Sequence, residues 1–263
     1  MKAWQKRVIG SASIMTVILI LVYLFSYMPL PEGSVPLGDI VSYCIGEATN
    51  DGALELLAIS GDGEIDTGER HGQFLLVCDA SAEADMDRLG YIPPEKIQYR
   101  IDLSGIKPMK VQLGDVDGDG VKEVAICVYK TTKFHPVMAK RPFFFDLVEG
   151  NLIPIWLGSR LSRPFDDYIL YDIDADAVDE IISIERLESG RQVIAVYIWK
   201  GFGFELLTQS EAFDGELRFD SDTAGQTIED KGICAIISNY KEHTRLEFRL
   251  DSGNLVYTEL DLN

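Results

Sequence analysis

The residues best placed to do chemistry are Asp115, Asp117, Asp119 and Glu123, in the run Asp115-Val116-Asp117-Gly118-Asp119-Gly120-Val121-Lys122-Glu123. Carboxylates at alternate positions converge on one point only if the backbone curls tightly around it, and Gly118 and Gly120 permit that curl. A site made of oxygen donors alone selects a hard cation. Calcium (Ca2+) is expected, held by Asp115, Asp117, Asp119, Glu123 and the main-chain carbonyl of Val121, because it accepts several carboxylates and a carbonyl while magnesium keeps its waters. An EF-hand does not fit: its bidentate Glu would fall at loop position twelve, where Ile126 stands, and it needs a helix on each side. Directly after the loop comes the apolar run Val124 to Tyr129, of strand length.

The pattern recurs, and recurrence at a fixed interval decides architecture. Fifty-seven residues on, Asp172-Ile173-Asp174-Ala175-Asp176-Ala177-Val178-Asp179-Glu180 repeats the acids at the same offsets and leads into Ile181-Ile182-Ser183-Ile184. Its expected ligands are Asp172, Asp174, Asp176, the Val178 carbonyl and Glu180. Ala175 and Ala177 stand where the first loop has glycine, and a left-handed alanine costs about 1 kcal/mol. Upstream, Glu47 to Glu55 keeps the frame more weakly, with Glu47, Thr49, Asp51 and Glu55, before Leu56-Leu57-Ala58-Ile59. A fourth, eroded copy begins at Asp220-Ser221-Asp222 and reaches the apolar run Ile233 to Ile237 after a longer loop. Asp and Gly form solvated turns in any case; acids kept at alternate positions in successive copies are what a cation adds.

Strand, acidic loop, strand, repeated in this way, resembles the FG-GAP (integrin-like, VCBS-type) repeat of β-propellers, in which each blade carries such a loop between its first two strands. The resemblance covers most of residues 40 to 262. It implies a propeller-like module for extracellular recognition or scaffolding, with calcium structural rather than catalytic.

The elements that would position these loops can be laid out along the chain. Each unit reads as four short strands with a turn before the last, at a period near that of a propeller blade. The last two strands of the second unit are Phe143 to Val148 and Leu152 to Leu157, around the turn Glu149-Gly150-Asn151; those of the third are Arg191 to Trp199 and Phe204 to Leu207. Ala80 to Tyr91 reads as a small helical insertion. Lys130 to Arg141 reads as a long basic excursion, and Tyr129 to Phe145 as the one basic and aromatic island, suited to an anionic wall polymer. The expected fold class is all-β: a propeller-like repeat domain of about four four-stranded units, preceded by one N-terminal transmembrane helix. A ring that failed to close would expose strand edges and call for a partner or a second copy.

That helix is expected at residues 8–28, uncharged and almost wholly apolar, long enough at 1.5 Å per residue to cross a hydrocarbon core of about 30 Å. Residues 1–7 form a basic tail with Lys2, Lys6 and Arg7, which puts the N-terminus in the cytoplasm and residues 40–263 outside. Residues 29–39, with Pro29, Pro31, Gly33 and Pro36, read as a stiff spacer. The expectation is a single-pass protein of the cell membrane, its C-terminal domain extracytoplasmic, its partner there an unknown protein or a cell-surface polymer. The chain carries 24 basic and 43 acidic residues, a formal charge of −19, which excludes nucleic acid as a partner.

Cys44, Cys78, Cys127 and Cys234 have no metal-binding spacing and are expected as small buried hydrophobes. No nucleophile elbow, zinc-protease, phosphate-loop or dinucleotide motif occurs, so no catalytic residue is nominated and the protein is not expected to be an enzyme. The functional expectation is a membrane-anchored, calcium-stabilised β-repeat module for binding or scaffolding at the cell surface. The alternatives are an extracytoplasmic hydrolase on the same scaffold and a sensory ectodomain of a membrane complex.

Overall fold

A computed structural model describes residues 29–158, 160–220, 232–239 and 242–260. The expected transmembrane segment 8–28 and most of the fourth loop lie outside the described residues, among which no helix is long and apolar enough to cross a membrane. The chain divides into two compact units, Met1–Ser34 and Val35–Asn263. In the first, a turn is closed by the Ser34 N–H on the Pro31 carbonyl at 3.1 Å.

The second unit is all-β, built among the described residues on four four-stranded antiparallel sheets that succeed one another along the chain. In order come β1 (Val35–Pro36), β2 (Ile40–Gly46), β3 (Glu55–Ser60), the small β4 (Gly63–Glu64) and β5 (Arg70–His71) ladder, β6 (Phe74–Asp79), helix α1 (Ala82–Leu89), β7 (Tyr91–Ile92) and β8 (Ile97–Asp102). The first sheet is ordered β2-β3-β6-β8. The second holds β9 (Pro108–Gly114), β10 (Glu123–Thr132), β11 (His135–Val148) and β12 (Asn151–Leu157). The third holds β13 (Phe165–Tyr171), β14 (Glu180–Arg186), β15 (Gln192–Trp199) and β16 (Phe204–Gln209). The fourth holds β17 (Glu216–Phe219), β18 (Ile233–Asn239), β19 (Glu242–Asp251) and β20 (Asn254–Leu260). Each is a simple meander, and every acidic loop joins a first strand to a second.

Second strands are apolar without alternation because both of their faces are covered. β3 and β14 are buried throughout or nearly so, whereas the fourth strand β16 alternates half-buried and exposed, as a one-sided strand must. Leu57, Val77, Ile126 and Phe143 share one core between the first and second sheets. Ala125, Phe144, Tyr168 and Ile181 share the next. Ile182, Phe213, Ile233 and Phe248 share the one between third and fourth. The outer face of the first sheet is covered locally: Leu56 and Leu76 pack with Ala82 and Met86 of α1, Ile92 of β7 and Val35 of β1. Gly90 ends that helix in the left-handed conformation, its N–H on the Met86 carbonyl at 2.9 Å.

Lys130 to Arg141, expected as an excursion, is a hairpin instead. β10 and β11 run past the sheet and pair out to Thr132 and His135, with a register shift between Lys130 and Thr132.

Polar side chains tie neighbouring first strands together. Lys110 on β9 donates to Asp167 Oδ1 and to the Tyr168 carbonyl on β13, both at 2.8 Å. Gln112 spans the same gap, giving its amide to the Tyr168 carbonyl and receiving the Leu170 N–H, each at 3.2 Å. Arg186 on β14 reaches Asp166 on β13 at 2.7 Å and Glu216 on β17 at 3.1 Å. Strands β2, β9 and β13 border a shared cavity of about 730 Å³, with Tyr43, Arg70, Lys110, Lys140 and Asp167 in its wall.

Candidate metal centre

The loop backbone is the same in all three described copies, although the sequences differ. Loop position four has positive φ in each: Asn50 at 55°, Gly118 at 79°, Ala175 at 64°. Position six repeats this with Gly52 at 84°, Gly120 at 87° and Ala177 at 72°. Local hydrogen bonds impose the curl. The first acid accepts the position-six N–H, Glu47 from Gly52 and Asp115 from Gly120 at 2.8 Å, Asp172 from Ala177 at 2.9 Å. The position-five acid accepts the position-seven N–H at 2.8 Å in all three, Asp51 from Ala53, Asp119 from Val121 and Asp176 from Val178.

The ninth residue locks each loop from beneath. Glu55 Oε2 accepts the Ala48 N–H at 2.9 Å, Glu123 Oε2 the Val116 N–H at 2.8 Å, and Glu180 Oε2 the Ile173 N–H at 3.1 Å. All three glutamates are buried, and each opens the second strand of its sheet. Burying a carboxylate is costly unless its oxygens are used; here one oxygen is used by the backbone of the loop it closes.

The expected ligands come together in two places. Carboxylate oxygens of Asp115, Asp117, Asp119 and Glu123 all lie within 4.8 Å of one another, as do those of Asp172, Asp174 and Asp176. Such all-oxygen groups, with no His or Cys, suit a hard cation. Glu180 does not join the second group, and the first loop assembles no such group among the described residues. There Thr49 gives its hydroxyl to Glu55 Oε1 at 3.1 Å. Val121 and Val178 sit at position seven of their loops, as the repeat requires.

Crowding of like charge shows in the proton affinities. Burial pushes the Glu123 carboxyl up to about 7, and the neighbouring Asp117, Asp115 and Asp119 push the same way. Burial, with Asp174, Asp176 and Asp172, takes Glu180 up to about 8. Asp174 is raised by burial and by Asp176. A bound cation reverses the sign of these fields, so the site trades protons for metal.

Two acids that spacing alone did not nominate also belong here. Asp179 bridges the loops of the second and third sheets: its Oδ2 accepts the Asp115 N–H at 2.9 Å, and its own N–H meets the Asp115 carbonyl at 2.6 Å. Asp146 on β11 is raised by burial and then by Asp117 and Asp119. It lines a cavity of about 400 Å³ with Asp119, Val121, Thr49 and Asn50. The offset from Asp115 to Asp179 crosses two sheets, so no local pattern could have signalled it.

The segment Trp156 to Tyr168, rich in Arg and aromatics, is packing. Leu161, Phe165 and Tyr168 enter the core between the second and third sheets. Arg163 donates to the buried Glu185 at 3.0 Å and to Gln209 at 2.9 Å, and Tyr197 gives its hydroxyl to Glu185 at 2.5 Å.

No family model and no curated protein matches the chain. Among solved structures it is similar to a Bacillus licheniformis rhamnogalacturonan lyase PL11, 13% identical over 86% of this chain and 50% of that one, with a TM-score of 0.41. The chain thus spans half the length of that protein, and a likeness of this degree carries neither activity nor substrate across.

Proposed function

We propose that residues 40–263 form an FG-GAP-like, propeller-like module whose loops 115–123 and 172–180 bind structural calcium. On this reading residues 8–28 anchor it in the cell membrane, and the module binds or scaffolds a protein or polymer outside. The observation that supports it most is the lock repeated at one offset in three successive sheets, Glu55 to Ala48, Glu123 to Val116 and Glu180 to Ile173. Equivalent loops at the same corner of consecutive four-stranded meanders, with first strands bordering a common cavity, are the expected anatomy of propeller blades.

Calcium is favoured over magnesium by the donor set: it accepts several carboxylates and a main-chain carbonyl, whereas magnesium keeps several of its waters. Metal bound to the folded state alone stabilises it. The test is a calcium titration followed by melting temperature, with Asp117→Ala and Asp174→Ala in parallel. A rise that each substitution diminishes supports the reading, and melting curves indifferent to calcium in all three proteins remove the metal from it.

A hydrolase is the second reading, favoured by a cavity of about 790 Å³ in which Asp172, Asp174 and Asp179 meet Lys122 and Arg249. It requires turnover of a polysaccharide or ester that Asp179→Asn abolishes while calcium stabilisation persists.

A further inference from the structure

We propose that the tip of the β10–β11 hairpin, Lys130 to Met138, is a docking surface for an anionic lipid bilayer. Phe134 is 83% exposed, with Val137 at 56% and Met138 at 41%, a cluster of apolar side chains held out in water at the end of a single projection. Isolated exposed hydrophobics are ordinary; three within five residues on a protruding hairpin mark an interaction site.

Charge says what kind. Between Glu123 and Asp146 the chain has no acid, and the tip itself carries the half-exposed Lys130 and the exposed Lys133, while Lys140 is paired with Glu69 at 2.6 Å and Arg141 is buried. Beyond residue 28 the rest of the protein averages about one acid in every five residues, so this hairpin is poor in acid for this chain. At physiological ionic strength fields decay over about 8 Å, so Lys130 and Lys133 at the tip dominate the field that an approaching surface meets there. Lysines beside exposed Phe, Val and Met are the composition of segments that lie in a membrane interface. A hydrated polyanion would use the lysines and leave the apolar cluster without a role.

The projection is also braced. Arg141 is wholly buried and donates to the Lys130 carbonyl at 2.9 Å, the Val137 carbonyl at 2.7 Å and the His135 carbonyl at 3.2 Å, tying both strands of the tip together. A register shift between Lys130 and Thr132 turns the end of the hairpin relative to the sheet. Docking therefore orders little that is not already ordered, which lowers its entropic cost. None of this depends on the acidic loops holding a cation.

The unit Val35–Asn263 has its own cores and one end covered by α1, so it can be examined apart from residues 1–34. Co-sedimentation with vesicles of phosphatidylcholine alone, and of phosphatidylcholine mixed with phosphatidylglycerol, is measured in EDTA and in calcium at about physiological salt, alongside soluble polyglutamate. Binding is expected to the anionic vesicles only, in EDTA as in calcium. Lys133→Gln is expected to weaken it about fivefold and Phe134→Ser about tenfold. Both positions are exposed, and unchanged melting curves show the variants folded. Equal binding to both vesicles, absence of binding, or binding only in calcium overturns the proposal, the last by pointing to ion bridges from the acidic loops. So does polyglutamate binding that matches vesicle binding and survives Phe134→Ser, which makes the hairpin a polymer reader instead.

Discussion

The loops at 115–123 and 172–180 trace the same path with different residues. One uses glycine at positions four and six, the other alanine at positive φ. Both first acids hold the position-six N–H, both position-five acids hold the position-seven N–H, and both ninth residues are buried glutamates on the position-two N–H. Glycine therefore eases this backbone without defining it; the side-chain acceptors define it. The loops differ in their reach toward a cation. Glu123 adds its oxygen to the acidic group, and Glu180 stays out.

The comparison breaks most sharply at the ninth residue. Glu123→Ala leaves the buried Val116 N–H without an acceptor and should cost about 3 kcal/mol, a drop in melting temperature of about 6–10 °C. Glu55→Ala should cost a similar amount without altering the response to calcium, because its loop gathers no acidic group, whereas Glu123→Ala should blunt that response. Equal calcium responses in the two variants would show that the ninth residue is only a structural lock.

Metal should come next. At calcium a hundredfold above its dissociation constant, each site adds about 2.7 kcal/mol. Asp117→Ala removes the first contribution and Asp174→Ala the second; titration calorimetry should count two sites in the parent and one in each variant. The site that includes Glu123 should be the tighter, with one more carboxylate.

Protons compete for the same oxygens. Glu123 near 7 and Glu180 near 8 hold protons more tightly in the folded chain than their ordinary value of 4.5. Protonation therefore favours the fold: the contribution is complete below about pH 4.5 and is lost as pH rises through 7 and 8. In EDTA the melting temperature should fall across that window, and calcium should flatten the fall. A metal-free curve rising with pH over the same range would contradict the burial of both glutamates.

The smallest effects lie in the backbone. Ala175→Gly or Ala177→Gly relieves a left-handed alanine and should stabilise by about 1 kcal/mol. Gly120→Ala, whose added methyl meets open space, should cost about the same. Chemical denaturation resolves both, and opposite signs of similar size would show the two loops to be conformationally equivalent.

Much of this was legible in one dimension. The runs Leu56 to Ile59, Val124 to Tyr129 and Ile181 to Ile184 announce strands covered on both faces, and Glu149-Gly150 announces the turn that both residues enter at positive φ. Ala80 to Tyr91 announced a short helix, found at Ala82–Leu89. The hairpin beyond Lys130 was hidden, since a strand paired only with its own return and covered on neither face shows no hydrophobic period. Glu55, Glu123 and Glu180 were visible as acids, but not as locks: whether a glutamate turns toward solvent, a cation or a backbone N–H depends on the covering sheet that buries it.

By itself the sequence determined what is local. Carboxylates at alternate positions, with residues that tolerate a left-handed turn, curl the chain within nine residues whatever surrounds them, and the apolar runs after them must become strands. Only the tertiary structure decided which oxygens converge. Glu123 joins its neighbours while Glu180 does not, and Asp179 reaches back across 64 residues to the main chain of Asp115. Those outcomes rest on how successive sheets pack face to face, and contacts between sheets leave no fixed spacing in the chain.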